Sequence, residues 1–189
     1  MIIGILAIQG DFIEHKKALD TLGVDSVFVK YPEELDSIDG LIIPGGESTT
    51  ISRLAKKWGL FEKLKGFEKP VMGTCAGAIL MASRVLNEFD QEEDIPFGLI
   101  DMTVKRNAFG RQIESFETKL NFNGKEFTGV FIRAPKIIEH GKEVEVLIKY
   151  QDSPVMVKQG NRLALTFHPE LSPDSLLIHE YFIELVKGK

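Results

Sequence analysis

The chain has 189 residues, of which 43% are hydrophobic and 27% are charged, as is usual for a globular protein. That length suits one domain with a complete hydrophobic core, and we expect a single domain over residues 1–189. The 28 acidic residues outnumber the 23 basic ones and no segment is strongly basic, which argues against binding nucleic acid or a membrane surface by phosphate neutralisation.

The first half of the chain alternates strand and helix signals. Predicted strands cover residues 2–8, 24–29, 41–43 and 70–73. These short apolar runs are typical of buried parallel strands. Helices are expected after the first strand (from Asp11 to about Leu22), after the third (to about Leu64) and after the fourth. Strands separated by such helices form βαβ units, which predicts a mostly parallel sheet with helices on both faces.

The second half is predicted to be rich in β structure. Over residues 98–167, hairpin-type turn pairs occur at Asn123-Gly124, His140-Gly141 and Gln159-Gly160. We expect these strands to extend the sheet as an antiparallel wing, and a helix over about 173–186 to close the chain. The predicted fold class is therefore α/β, a single domain with a mostly parallel open sheet and an antiparallel β extension in the second half.

Targeting and metal-binding patterns are not found in the sequence. The N-terminus lacks the basic region of a signal peptide, and the longest apolar run, residues 71–82, is too short to span a bilayer. We therefore expect a cytoplasmic protein. The single cysteine permits neither an intrachain disulfide nor a thiolate zinc site, so no metal or cofactor is expected. His15 and His179 are expected on the polar faces of their helices.

Cys75 lies in the pattern Gly73-Thr74-Cys75-Ala76-Gly77, between a predicted strand and a predicted helix. This is the pattern of a nucleophile elbow, in which a glycine lies two residues before the nucleophile and another lies two residues after it. The glycines allow a tight turn. The turn would lift the sulfur above the end of the strand, at a helix N-terminus that favours the thiolate. The backbone N–H of Ala76 would face a developing oxyanion. A small buried core cysteine is the alternative interpretation.

His168-Pro169-Glu170 follows a predicted strand over residues 163–167. In an extended chain the first and third residues point to the same side, so the imidazole and the carboxylate can lie together. A carboxylate beside an imidazole fixes its tautomer and stabilises the imidazolium. Parallel strands bring this segment and Cys75 to the same edge of the sheet, although the tripeptide alone also fits an ordinary polar turn.

A glycine loop and two arginines complete the candidate site. Gly46, in Pro44-Gly45-Gly46-Glu47-Ser48-Thr49, can offer a second oxyanion N–H, while the same segment also fits a plain strand-to-helix turn. Arg106 and Arg133 lie in loop-like breaks of the β-rich half. A guanidinium matches the geometry of a substrate carboxylate, but most arginines are simply solvated.

Taken together, these motifs resemble those of class I, or triad, glutamine amidotransferases. Gln9-Gly10, the glycine loop, Arg106-Asn107-x-Phe109-Gly110-Arg111-Gln112 and Phe131-Ile132-Arg133-Ala134-Pro135 narrow the resemblance to the glutaminase subunits of two-component pyridoxal 5'-phosphate synthases. The resemblance covers nearly the whole chain.

The resemblance implies a role for each of the matching residues. Cys75 would be the nucleophile, His168 the base and then the acid, and Glu170 the carboxylate that orients it. Glutamine would contact Gly46, Glu47, Ser48, Arg106, Ile132 and Arg133. The implied partner is a synthase subunit in a large hetero-oligomer, which uses the ammonia to make pyridoxal 5'-phosphate (vitamin B6). Gln9, after the first strand, is expected to sense that partner and steady the glycine loop.

Three other functions remain open from the sequence. The chain could be the glutaminase of another biosynthetic pathway, such as that of histidine, although the segments around Arg106 and Arg133 argue against it. It could be a non-catalytic binding subunit on the same fold, against which the intact cysteine, histidine and glutamate argue. It could also be a cysteine hydrolase of the intracellular protease type, which a panel of peptide substrates would test.

Overall fold

The computed structural model describes residues 1–106 and 115–188 and is built around a seven-stranded sheet. Its strands in chain order are β1 (Ile3–Leu6), β2 (Ser26–Val29), β3 (Gly40–Ile43), β4 (Val71–Thr74), β10 (Glu145–Tyr150), β11 (Ser153–Gln159) and β12 (Arg162–Leu165), where β5 to β9 are the intervening strands described below. The spatial order is β10-β11-β12-β4-β3-β1-β2. Every pair from β12 to β2 is parallel, and β10 and β11 are antiparallel additions at one edge.

Within the described ranges, five α-helices cover the two faces of this sheet. They are α1 (Phe12–Thr21), α2 (Ser48–Lys57), α3 (Leu60–Lys65), α4 (Ala76–Met81) and α5 (Leu176–Val186). One hydrophobic cluster joins Leu19 of α1 and Phe182 of α5 to Ile42 of β3, and a second joins Ile51 of α2 to Ile43. Adjacent residues of β3 thus enter opposite clusters, as the alternation of side chains along a strand requires. The predicted α/β fold with helices on both faces is confirmed.

The β-rich half forms two small sheets besides the edge of the large one. β5 (Ala82–Leu86), β6 (Ile100–Lys105) and β9 (Lys136–His140) form one, and β7 (Ser115–Phe122) and β8 (Lys125–Ile132) form a hairpin. A hairpin turn occurs at Asn123-Gly124, as predicted, and another at Gly160-Asn161, one residue later than the predicted pair Gln159-Gly160. The prediction for His140-Gly141 was wrong, because β9 pairs with β6 and β10 pairs with β11, so the chain passes from one sheet to another there.

The helix expected to run to about Leu64 is two helices. Gly59 has φ 76°, a left-handed conformation that suits glycine, and the first helix ends before it, with Trp58 as its C-cap. The break lets α2 and α3 contact each other while both contribute to the same hydrophobic cluster.

The parallel strands determine where the candidate site lies. β1, β3, β4 and β12 run in one direction, so the segments that follow them meet at one edge of the sheet. Gln9, Gly46, Cys75 and His168 each belong to one of these four segments. No helix among the described residues is long and apolar enough to cross a membrane.

Candidate active site

Cys75 lies on a tight turn between β4 and α4. Its backbone has φ 49° and ψ −103°, and its N–H donates to the carbonyl of Leu165 over 2.9 Å. A Cβ on Gly77 would lie 2.0 Å from the carbonyl oxygen of Ile43, and one on Gly73 would lie 2.7 Å from backbone atoms of Gly77. Neither position has room for a side chain, so both glycines are needed for this turn, as the elbow pattern predicts.

His168 and Glu170 form a close, buried pair. The Nδ1 atom of His168 is 2.7 Å from Oε1 of Glu170, and the Glu170 side chain is fully buried. The N–H of His168 donates to the carbonyl of Val130 in β8 over 2.8 Å, which ties the segment after β12 to the hairpin. With Nδ1 bonded to the carboxylate, the Nε2 atom is the ring nitrogen left for Cys75.

The electrostatics of the pair favour a protonated His168 and an ionised Glu170. Burial by itself would lower the pKa of His168, but its interactions with Cys75 and Glu170 outweigh burial and raise the pKa to about 10. Burial would likewise raise the pKa of Glu170, but the neighbouring His15 and the hydrogen bond from His168 hold it at about 2. His168 is therefore held as an imidazolium, the form that can give a proton to a leaving group.

The glycine loop after β3 packs directly on the segment after β1. A Cβ on Gly45 would lie 2.4 Å from the His168 ring, and one on Gly10 would lie 1.8 Å from the carbonyl oxygen of Gly45. The N–H of Glu47 donates to the side-chain oxygen of Gln9 over 2.7 Å. The loop is therefore held between the imidazole and the Gln9 side chain, with no space for a larger residue at Gly45.

Glu47 and Arg106 are joined by several hydrogen bonds at the side of the site. The carboxylate of Glu47 accepts from the N–H groups of Thr49 and Thr50 and so caps α2. The Arg106 guanidinium donates to Glu47, Thr49 and Glu93, with the shortest bond, 2.8 Å, to Glu93. The N-cap of α2 is therefore Glu47, the residue before Ser48. The following residues of the Arg106 segment, from Asn107 to Gln112, lie outside the described part of the chain.

One cavity of about 480 Å³ contains most of the predicted site residues. Its lining includes Gln9, Gly46, Glu47, Ser48, Cys75, Arg106, Ile132, Arg133 and His168. Glu170 lies behind His168 rather than on the cavity wall, and Ala76 is the buried first residue of α4. An N–H in the first turn of a helix has no acceptor inside the helix, so that of Ala76 is available to an oxyanion.

Several residues near this cavity were not predicted from the sequence. Asp11 and Ile79 also line it. His15 and His179 are fully buried behind Glu170, so their expected placement on polar helix faces was wrong. The sequence did not indicate that these histidines are buried. A histidine can be buried on a helix when its ring has a hydrogen-bond partner, and helical spacing does not reveal such a partner.

Only one group of the described residues places three potential metal ligands close together. Ligand atoms of Asp11, His168 and Glu170 lie within 4.8 Å of one another. His168 and Glu170 are already bonded to each other over 2.7 Å, which occupies the atoms that a metal would need. The arrangement suits proton transfer and nucleophilic attack better than metal binding.

Comparison with known proteins gives relatives over the full length of the chain. The protein named pyridoxal 5'-phosphate synthase subunit PdxT from Thermosipho africanus is 53% identical over 194 residues, covering 99% of this chain and 100% of that protein. The protein of the same name from Geobacillus kaustophilus is 49% identical, covering 99% of this chain and 95% of its own.

Solved structures show the same architecture. One, described as a glutamine amidotransferase, has a TM-score of 0.91 and 44% identity, and the match covers 99% of this chain and 100% of that one. Another, described as PurLQS from Thermotoga maritima, shares the fold with a TM-score of 0.67 at 16% identity, and the match covers 97% of each chain. The model of the SNO glutamine amidotransferase family matches residues 5–188. The chain therefore belongs to the SNO glutamine amidotransferase family.

Proposed function

We propose that this chain is the glutaminase subunit of a pyridoxal 5'-phosphate synthase. It hydrolyses glutamine to glutamate and ammonia through a thioester on Cys75, and the ammonia is passed to a synthase subunit. The observation that carries the chemistry is the position of Cys75 on a strained turn, in the same cavity as an imidazole paired with a buried carboxylate. The full-length identity with proteins named PdxT supports the pathway.

The reaction proceeds as two acyl transfers through a covalent intermediate. The Cys75 thiolate attacks the side-chain amide carbon of glutamine, and the imidazolium of His168 protonates the amide nitrogen, which leaves as ammonia when its bond to that carbon breaks. His168 then takes a proton from water, which attacks the thioester and releases glutamate. Glu170 keeps Nδ1 of His168 protonated throughout and stabilises the imidazolium, as the 2.7 Å contact allows.

The remaining cavity residues bind the substrate in this proposal. The N–H groups of Ala76 and Gly46 stabilise the oxyanion of each tetrahedral intermediate, and one such donor contributes about 10²–10³ to kcat. Arg106 and Arg133 bind the α-carboxylate of glutamine. Glu47, Ser48 and Ile132 line the cavity and contact the rest of the substrate.

Coupling to a partner follows from the fate of ammonia. Ammonia released into bulk water is protonated and loses its nucleophilicity, so a sealed route to the synthase subunit preserves the product. We propose that the chain acts in the cytoplasm within a large hetero-oligomer with that subunit, and that it hydrolyses glutamine slowly when alone.

The test is a glutaminase assay on the purified chain with and without a saturating synthase subunit. We expect slow hydrolysis by the chain alone, faster hydrolysis in the complex, and loss of both in Cys75→Ala with docking retained. Glutaminase activity near the wild-type level in Cys75→Ala would contradict the role of the cysteine. Equal activity with and without the subunit would contradict the coupling, and cleavage of peptides instead of glutamine would favour a protease.

A further inference from the structure

A chain of buried polar side chains lies behind the cavity and connects α1 to α5. The Nδ1 atom of His15 is 3.0 Å from Nε2 of His179, and its Nε2 atom is 3.1 Å from the hydroxyl oxygen of Thr74. The same Nε2 atom is 3.5 Å from Oε2 of Glu170. The His15, His179 and Thr74 residues and the Glu170 side chain are all fully buried.

The second oxygen of Glu170 depends on His15. Oε1 binds His168, whereas Oε2 has no hydrogen bond within ordinary distance among the described residues. The Nε2 atom of His15, 3.5 Å away, is a potential donor that faces it. A buried carboxylate oxygen without any donor nearby is costly, so this contact bears on the orientation of the whole carboxyl group.

The contacts select one tautomer for each of the two histidines. If Nδ1 of His15 carried the proton, its Nε2 lone pair would face the carboxylate oxygen, which is repulsive. His179 would then accept at Nε2 and keep a proton on Nδ1, an atom that has no partner among the described residues. With the proton on Nε2 in both rings, His179 donates to His15, and His15 donates towards Thr74 and Glu170.

We infer that His15 is a positioning residue of the active site, which in its neutral Nε2–H form holds the outer oxygen of Glu170 so that the inner oxygen stays directed at His168. His179 acts through His15 by fixing its tautomer. Thr74 accepts from the same N–H and immediately precedes Cys75, so the network contacts both sides of the site. The role of His15 rests on the proposed glutaminase function, whereas the tautomers can be tested without it.

The charges around Glu170 determine how the loss of His15 would change the dependence of activity on pH. The titratable groups that face it are His168 beside it, Asp11 and His15 from the start of α1, and His179 from α5. Removing the His15 donor leaves Oε2 buried without a donor nearby and raises the pKa of Glu170 from about 2. The carboxyl group then becomes protonated as the pH falls, and activity is lost with it.

The first experiment reads the tautomers directly. The chain contains four histidines, so selective ¹⁵N-histidine labelling yields few enough ring signals to assign by substitution. We expect neutral Nε2–H rings for His15 and His179 at neutral pH. An Nδ1–H tautomer at His15 would overturn the inference, whether or not the chain proves to be a glutaminase.

The second experiment compares three variants for kcat, KM and pH profile in complex with the synthase subunit. His15→Met removes the donor, His15→Gln keeps an N–H donor at a similar reach, and Leu19→Ala creates a cavity on the same buried face of α1. We expect His15→Met to lose about 10- to 100-fold in kcat, the cost of leaving a buried, charged oxygen without a donor nearby, with KM little changed. The activity of His15→Met should also fall at a higher pH than that of the wild type as the solution is acidified. His15→Gln should recover most of kcat, and Leu19→Ala should keep the wild-type pH profile.

Coupling between His15 and Glu170 provides the final control. In a Glu170→Gln background, His15→Met should change kcat less than about twofold, because the group through which it acts is already altered. An unchanged loss of about 10-fold in that background, or a His15→Met variant that resembles Leu19→Ala, would overturn the positioning role. Absence of glutaminase activity in the wild-type complex would instead overturn the proposed function, with the tautomer result still standing.

Discussion

At the scale of single residues, the site depends on one strained backbone position. Cys75 has a positive φ of 49°, which costs a non-glycine residue about 1–3 kcal/mol unless its surroundings impose it. Here they do, because Gly73 and Gly77 are packed against neighbouring backbone and the Cys75 N–H is bonded to Leu165. The strain directs the sulfur towards the cavity that also contains His168.

His168 and Glu170 should differ in how much activity their loss costs. We expect His168→Asn to be nearly as damaging as loss of Cys75, because nucleophile and base act as a unit. Glu170→Gln should be roughly 10- to 100-fold milder, as for the carboxylate of other hydrolase triads, since the base remains. Steady-state kinetics of both variants is the measurement, and a Glu170→Gln variant worse than His168→Asn would reverse the roles assigned here.

Arg106 tests how the substrate carboxylate is bound. Its guanidinium already contacts Glu47 and Glu93, so substrate must share or replace these contacts. We expect Arg106→Ala, and likewise Arg133→Ala, to raise KM for glutamine more than it lowers kcat, because a carboxylate contact acts in both ground and transition states. Glu93→Gln is the matched control, since it removes a negative charge that competes for the guanidinium and should not raise KM. If both arginine variants keep the wild-type KM, the carboxylate is bound elsewhere.

At the scale of elements, the loop after β3 is held by the segment after β1. The Gln9 side chain accepts from the N–H of Glu47, and the position of a Cβ on Gly46 is only 2.6 Å from the Gln9 oxygen. Two adjacent glycines can change φ and ψ at low cost, so this single hydrogen bond has a disproportionate influence on the Gly46 peptide. Gln9 is therefore a good position from which a bound partner could act on the oxyanion donor.

Substitution of Gln9 should weaken the influence of the partner on the Gly46 peptide. We expect Gln9→Ala to lower kcat/KM in the complex by up to about tenfold, the range of one neutral hydrogen bond. Gln9→Glu keeps an acceptor for the Glu47 N–H and serves as the control, with a smaller loss. Activity should be measured with and without a saturating synthase subunit. An unchanged kcat/KM in the Gln9→Ala complex would show that Gln9 does not take part in the coupling.

At the scale of the whole molecule, buried histidines make stability depend on pH. Burial, and next the neighbouring His15, lower the pKa of His179 from 6.5 to about 3. Between these values the unfolded chain binds a proton that the folded chain does not, so the free energy of unfolding decreases as the pH falls. The Glu170 carboxylate adds a further loss as the pH falls from 4.5 to about 2.

Urea unfolding between about pH 4 and 8 measures this dependence. We expect the wild-type chain to lose stability steadily below pH 6.5, and His179→Gln to lose less over the same range. Glutamine does not titrate there, and its amide N–H can still donate to His15. Equal slopes for the two chains would mean that His179 is not buried as a neutral ring in solution.

Much of this arrangement could be predicted from the sequence because local patterns encode it. The apolar runs indicated the four parallel strands from β1 to β4, and Gly73-Thr74-Cys75-Ala76-Gly77 indicated the elbow. The family was confirmed by the match over residues 5–188. The residues assigned to the cavity were found together because parallel strands deliver their following segments to one edge. Their catalytic and binding roles, like the single-domain assignment, remain predictions.

The sequence by itself determined the fold class and the reactive groups, since periodicity, glycine spacing and side-chain chemistry act over a few residues. Only the tertiary structure decided which distant groups meet. It placed His15 and His179, separated by 164 positions, within 3.0 Å of each other behind Glu170, and it joined Arg106 to Glu47 and Glu93. It also sent β9 and β10 into different sheets at a turn that resembled a hairpin. Such pairings depend on packing between elements far apart in the chain, for which no local pattern carries the information.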